Sequence, residues 1–133
     1  MKLTTKSEYS ILALIYIARN EKKDFIKIEE ICSKCNIPRQ YLVLLFSVLK
    51  QNGYIKARRG ASGGYKLAKP ASRINIAEII RLMDGALAPT ESASRYFFSS
   101  TPLASEKKLV KVFRDIRDYV AEKLEALKLS DLV

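Results

Sequence analysis

The residues able to do chemistry are few and of narrow kinds. Cys32 and Cys35 stand in a C-x-x-C spacing, and the 133-residue chain has no third cysteine and no histidine. Two thiols cannot complete a zinc centre within one chain, and histidine acid–base catalysis is excluded. The run Gly60-Ala61-Ser62-Gly63-Gly64 leads into Tyr65-Lys66-Leu67, without the Lys-Ser/Thr ending and following helix of a phosphate loop. No nucleophile elbow and no pocketed carboxylate pair is readable, so neither an enzyme nor a bound metal or cofactor is expected. Two cysteines also form no disulfide framework, which fits a reducing cytoplasm. What remains are cations beside groups that can grip or read a polyanion: Arg39-Gln40-Tyr41, and Arg58-Arg59 next to the glycines.

The charge is segregated in the same sense. Residues 1–75 hold fifteen Lys and Arg against five Asp and Glu, whereas residues 76–133 hold nine of each. The whole net charge of +10 therefore sits in the first part. Such a field suits nucleic acid ahead of a membrane surface or an acidic protein. The longest uncharged apolar run, residues 11–18, is eight residues long, against the roughly 20 of a membrane span. With no secretory signal readable at the N-terminus, no membrane partner is expected.

The elements that must position these residues follow from periodicity. Residues 5–20 form a helix apolar nearly all round, which needs cover on several sides. A second helix over 27–34 carries Ile28, Ile31, Cys32 and Cys35 at helical spacing. Asn36 suits the left-handed turn after it, and Pro38 suits the first position of the next helix. That helix, 38–51, has a core stripe of Leu42, Leu45, Phe46 and Leu49 and stops at Asn52-Gly53, a helix-turn-helix in outline. Residues 54–58 and 65–68 read as two short strands, joined by a tip whose three glycines supply positive φ. Asn75 caps a helix with Glu78 in capping-box position; Ile76, Ile79, Ile80 and Met83 face inward and Gly85 ends it,.

Residues 86–104 are expected to be a linker. The aromatic knot of residues 96–98 within it either walls a ligand pocket or seals a dimer. Residues 105–128 repeat Leu109, Phe113, Ile116, Val120, Leu124 and Leu127. At about 36 Å that helix exceeds what a small core covers. Its stripe pairs with a symmetry mate or folds back on its own domain, and the dimer is the reading favoured.

Ile28-Glu29-Glu30-Ile31, Arg39-Gln40-Tyr41-Leu42, the arginine-glycine wing 59–67 and Ile74-Asn75-Ile76-Ala77-Glu78-Ile79-Ile80 together resemble the bacterial winged-helix repressors of the IscR/NsrR/CymR type. The resemblance is close over residues 2–85 and holds in kind for the terminal helix. It implies a mainly α fold with a small β-hairpin wing: a winged helix-turn-helix domain over 1–85, the linker over 86–104 and a dimerisation helix over 105–133. It also implies a homodimeric transcription regulator, a repressor, reading double-stranded DNA at a pseudo-palindromic operator under a small-molecule or protein effector.

On that frame Arg39 reaches guanine or a phosphate, Gln40 pairs with adenine, and Tyr41 either donates to a phosphate or flanks the core. Arg59, with Arg58, Ser62, Gly63 and Tyr65, forms a wing suited to a minor groove. Lys2, Thr5, Lys6 and Tyr9 stand where relatives touch the DNA backbone and would position rather than specify.

Two departures stand out. Val43 and Leu44 occupy positions where such proteins often carry polar base readers. If exposed they meet thymine methyls; if the helix is rotated they are core. Residues 86–106, where many relatives carry cluster cysteines, hold neither cysteine nor histidine, so no iron–sulfur cluster is expected. Cys32 and Cys35 are then small core residues or, alternatively, a thiol-redox sensor. A winged-helix module that binds an acidic protein is the other alternative.

Overall fold

The computed structural model describes residues 1–95 and 98–133. Among these, five helices and one hairpin follow in the order α1 (Thr5–Arg19), α2 (Ile28–Cys35), α3 (Arg39–Gln51), β1 (Ile55–Arg58), β2 (Gly64–Leu67), α4 (Ile76–Asp84) and α5 (Lys107–Glu125). No helix among them is long and apolar enough to cross a membrane.

α1 is the axis of the first part. Its buried face includes Ser7, Ser10, Ala13, Leu14 and Ile17, small at one end, and α4, α2, α3 and β2 all pack on it. Thr4 starts it, with its hydroxyl accepting from the Lys6 amide at 3.2 Å,. The Thr4 amide donates to Asp84 Oδ2 at 2.8 Å and its hydroxyl to Oδ1, which ties the start of α1 to the end of α4. Cover on several sides is thus supplied largely within the chain, although Leu12 stays exposed.

Asn36 adopts the left-handed conformation between α2 and α3, at φ 55. Pro38 sits one position earlier than expected: its ψ of 130 makes it the cap, and the helix begins at Arg39. The amide of a residue that caps a helix start makes no intrahelical hydrogen bond, so proline, which lacks one, fits there as well. Leu42, Leu45, Phe46 and Leu49 are all buried as the stripe requires.

The strands pair antiparallel, Ile55 with Leu67 and Arg58 with Gly64. Ile26 adds a rung, exchanging two 2.8 Å backbone hydrogen bonds with Tyr65. Of the three tip glycines only Gly60 and Gly64 have positive φ. Gly63 serves a close approach instead, since a Cβ there would lie 2.1 Å from the Arg58 carbonyl oxygen.

Asn75 caps α4 by accepting from the Ala77 and Glu78 amides at 2.9 and 3.4 Å. Glu78 does not close a capping box. Its carboxylate accepts from the Tyr54 hydroxyl at 3.2 Å, while the chain beside Asn75 pairs with Lys128. Ile76, Ile79, Ile80 and Met83 are buried as expected, and Gly85 ends the helix at φ 82.

The stretch expected to be a linker is packed rather than slack. Leu87, Ala88, Ser92, Ala93 and Ser94 are buried, and the Ala93 carbonyl accepts from Arg117 of α5 at 2.9 Å. The knot at residues 96–98 falls partly outside the described residues, which exclude Tyr96 and Phe97; Phe98 is exposed. α5 is shorter than expected at both ends and passes into a 3₁₀ turn over Leu129–Leu132 that buries Leu129. Its last turn is locked to α4: Arg81 pairs with Glu125 at 2.6 Å, and the Ile76 amide donates to the Leu127 carbonyl at 3.0 Å.

Candidate nucleic-acid interface

The first turn of α3 and the hairpin face each other across a cleft of about 500 Å³. Arg39 enters it from α3's first position and Lys50 from the far end of the same helix; Arg58 and Arg59 enter from the wing, and Lys27 from the residue before α2. Glu29 is the one carboxylate among the lining residues, and its Oε1 accepts from Arg39 Nε at 3.3 Å. Lys27 and Lys50 escape a motif-by-motif reading. Lys50 had a usable signal, because eleven residues is three helical turns and places it on the face of Arg39. Lys27 had none.

Arg39 and Gln40 are exposed at the helix start. The two readings of Val43 and Leu44 resolve toward solvent, at 37% and 64% exposed. Leu44 overhangs an apolar cleft of about 310 Å³ that Lys6, Tyr41 and Val48 also line. Tyr41 is half-buried: the Thr5 hydroxyl lies 3.2 Å from its own, and the Tyr9 ring meets it edge-on at 5.5 Å. Lys2, Thr5 and Lys6 remain exposed around that contact.

The wing residues divide. Arg59 is exposed at the tip and, among the described residues, has no ion pair. Arg58 folds back over the Phe25 ring at 4.1 Å, lies 3.6 Å from Asp24, and donates to the Ser62 carbonyl at 2.5 Å. Lys66 holds Asp24 from the other side at 2.8 Å, and that hydrogen bond draws the Asp24 carboxyl below its ordinary range. Ser62 is exposed, whereas Gly63 is buried. Tyr65 turns inward, its ring 4.7 Å from that of Phe46. Gly63 and Tyr65 therefore shape the wing from within, Arg58 braces it while still lining the cleft, and Arg59 and Ser62 form its outer surface.

Cys32 and Cys35, both half-buried on α2, are not among the residues that line the cleft. The Cys35 thiol points at the Leu12 carbonyl at 3.9 Å. Burial pushes both thiols above their ordinary range. Among the described residues no three cysteine, aspartate or glutamate side chains gather closely enough to hold a metal ion.

The stripe expected on α5 splits. Leu124 and Leu127 pack against the core, and Phe113 and Val120 are half-buried. Leu109 and Ile116 stay exposed, together with Val112 and Tyr119, which the stripe omitted. These four recur at i, i+3, i+7 and i+10, a coiled-coil seam.

Comparison with known proteins agrees with this architecture. An HTH-type transcriptional regulator of Neisseria meningitidis is 39% identical over 95 residues, which make up 71% of this chain and 64% of that regulator's length. IscR of Escherichia coli is 31% identical over 134 residues, covering all of this chain and 80% of IscR. The structure of CymR, the global cysteine regulator of Bacillus subtilis, superposes with a TM-score of 0.77 at 28% identity, over 99% of this chain and 95% of that one. The model of the Rrf2 family, described as iron-dependent transcriptional regulators, matches residues 3–133. The chain is a winged-helix protein of the Rrf2 family of transcriptional regulators.

Proposed function

We propose that the chain is a cytoplasmic, sequence-specific DNA-binding repressor that acts as a homodimer and carries no iron–sulfur cluster. The observation that carries the DNA reading is the cleft between α3 and the wing, with five cations against one carboxylate. α3 enters the major groove by its first turn, where Arg39 and Gln40 meet base edges. Leu44 and Val43 offer apolar contact to thymine methyls. Arg59 reaches the adjacent minor groove, and Lys2, Thr5, Lys6 and Tyr41 hold the phosphate backbone. The α5 seam pairs two copies, and a dimer covering a promoter excludes polymerase, which makes repression the expected output. A small molecule or partner protein sets its occupancy.

The family description names iron, and the donor set here does not fit it. An iron–sulfur centre needs about four ligands, most often thiolates. The chain has two, both on α2, and residues 86–106 contain no cysteine or histidine.

Selection from a random duplex library tests the proposal. It should enrich an inverted repeat with half-sites roughly 34 Å apart, bound with a log–log salt slope near −0.9 for each phosphate neutralised. No enrichment together with a shallow salt dependence would assign the basic face to an acidic protein instead.

A further inference from the structure

Glu29 is out of place in a cleft built to attract phosphates. It stands at the second position of α2, faces Arg39 across the inter-helix turn, and has no other acid beside it on the cleft wall. The pair is no device for folding, because both side chains are well over half exposed and such pairs contribute little,. Its geometry has a different consequence. The carboxylate takes Nε at 3.3 Å, and among the described residues nothing takes the two terminal nitrogens of Arg39. The guanidinium is planar, so fixing Nε orients the remaining two-pronged edge as a unit. That edge matches the O6 and N7 pair of guanine, and fixing its direction aims it at one acceptor pair instead of at whichever phosphate oxygens lie within reach.

The structure assigns Glu29 as the residue that sets the base specificity of Arg39, by holding Nε so that the terminal nitrogens are presented to a guanine. This rests on the DNA reading above. A free arginine at the head of α3 would settle on any phosphate within reach. Tethered to Glu29 through Nε, it keeps its terminal edge aimed where the first turn of α3 meets base edges,. Glu29 also places one negative charge in the path of the backbone, which weakens binding everywhere and most where no guanine compensates. The carboxylate stays ionised near neutral pH, its own backbone amide and then Arg39 drawing its titration below the ordinary glutamate range.

The test compares the full-length wild type with Glu29→Gln and Glu29→Asp, all checked by thermal melting. Each is selected against a random duplex library, and each is titrated on random-sequence duplex across salt. Glu29→Gln should lose the guanine preference at one position per half-site. It should also bind random duplex about fivefold more tightly, as expected for removing a ~1 kcal/mol repulsion in water, with a steeper salt slope. Glu29→Asp, one methylene short, should fall between. An unchanged preference and unchanged random-duplex affinity in Glu29→Gln, with a wild type that does enrich an operator, overturns this assignment alone. A wild type that enriches nothing overturns the DNA reading and this assignment with it.

Discussion

The hydroxyls of Thr5 and Tyr41 lie 3.2 Å apart, joining the first turn of α1 to the first turn of α3. With the Tyr9 ring edge-on to Tyr41, this ties the N-terminal segment to α3. Tyr41→Phe keeps the ring contact and loses only the hydroxyl. It should cost the fold no more than about 1 kcal/mol. Operator affinity should fall up to about tenfold, equally for all sequences, because a phosphate contact carries no base information. Parallel binding titrations on the operator and on random duplex check this. A loss confined to the operator would make Tyr41 a base reader.

The wing glycines separate two kinds of strain. Gly60 has φ 102 in open space, whereas Gly64 has φ 145 and a Cβ there would lie 2.4 Å from the Ile26 carbonyl oxygen. Gly60→Ala should cost about 1–2 kcal/mol, the price of the backbone alone. Gly64→Ala adds a clash between two backbones and should cost more, with the Ile26–Tyr65 rung lost first. Denaturant melts give the costs, and hydrogen exchange at the Ile26 and Tyr65 amides tests the order.

Much of this architecture was legible because it is local. The stripes on α3 and α4, the left-handed Asn36 and the Asn75 cap each depend on residues within one or two turns. The failures are non-local. Glu78 belongs to Tyr54 twenty-four residues back, and Arg58 folds onto Phe25 and Asp24, which no spacing rule connects. At Gly63 close approach replaces the positive φ that a glycine-rich tip suggests, because glycine serves both alike in a sequence. In α5, periodicity identified apolar positions but not which of two surfaces covers each. In the candidate site, Arg39 and Arg59, singled out by motif position, both line the cleft, whereas Gln40 is exposed at the helix start without lining it. Lys27 and Glu29 became visible only once the cleft was assembled.

That division of α5 makes opposite predictions for neighbouring side chains. Ile116→Glu places like charges on the exposed seam, so it should yield a folded monomer in sedimentation and weaken operator binding. Leu124 packs on the core instead. Leu124→Ala should cost the fold about 2 kcal/mol or more and leave the dimer seam intact. A dimeric Ile116→Glu chain would move the interface elsewhere.

The thiols predict a quiet redox chemistry. On the proposed function, protein purified without oxygen should be colourless, and iron with sulfide should leave operator affinity unchanged, because two thiols per chain fall short of the four a cluster normally takes. Burial raises both thiols, so at neutral pH less thiolate is present than in a free cysteine,. Alkylation should be slower than for a free thiol and accelerate as pH rises. An iron–sulfide absorption band lost in Cys32→Ala would refute this account.

Tyr54 gives the pH prediction. Burial, and then Glu78, push its hydroxyl from 10.0 up to about 12. The neutral phenol is therefore favoured in the folded chain, while the unfolded chain releases its proton near pH 10. Stability from this group is complete below pH 10 and drains away as pH rises toward 12, since over that window the unfolded state binds fewer protons. The loss should be on the order of 2–3 kcal/mol. Lysines titrate in the same range, so the informative comparison is with Tyr54→Phe, which keeps the ring and removes the proton. Phe gives up the hydrogen bond to Glu78 and should be slightly less stable at pH 8. From pH 10 to 12 its stability should fall less steeply than that of the wild type, and the two denaturation curves should converge. Parallel curves across that window would show that the Tyr54 proton is not linked to folding.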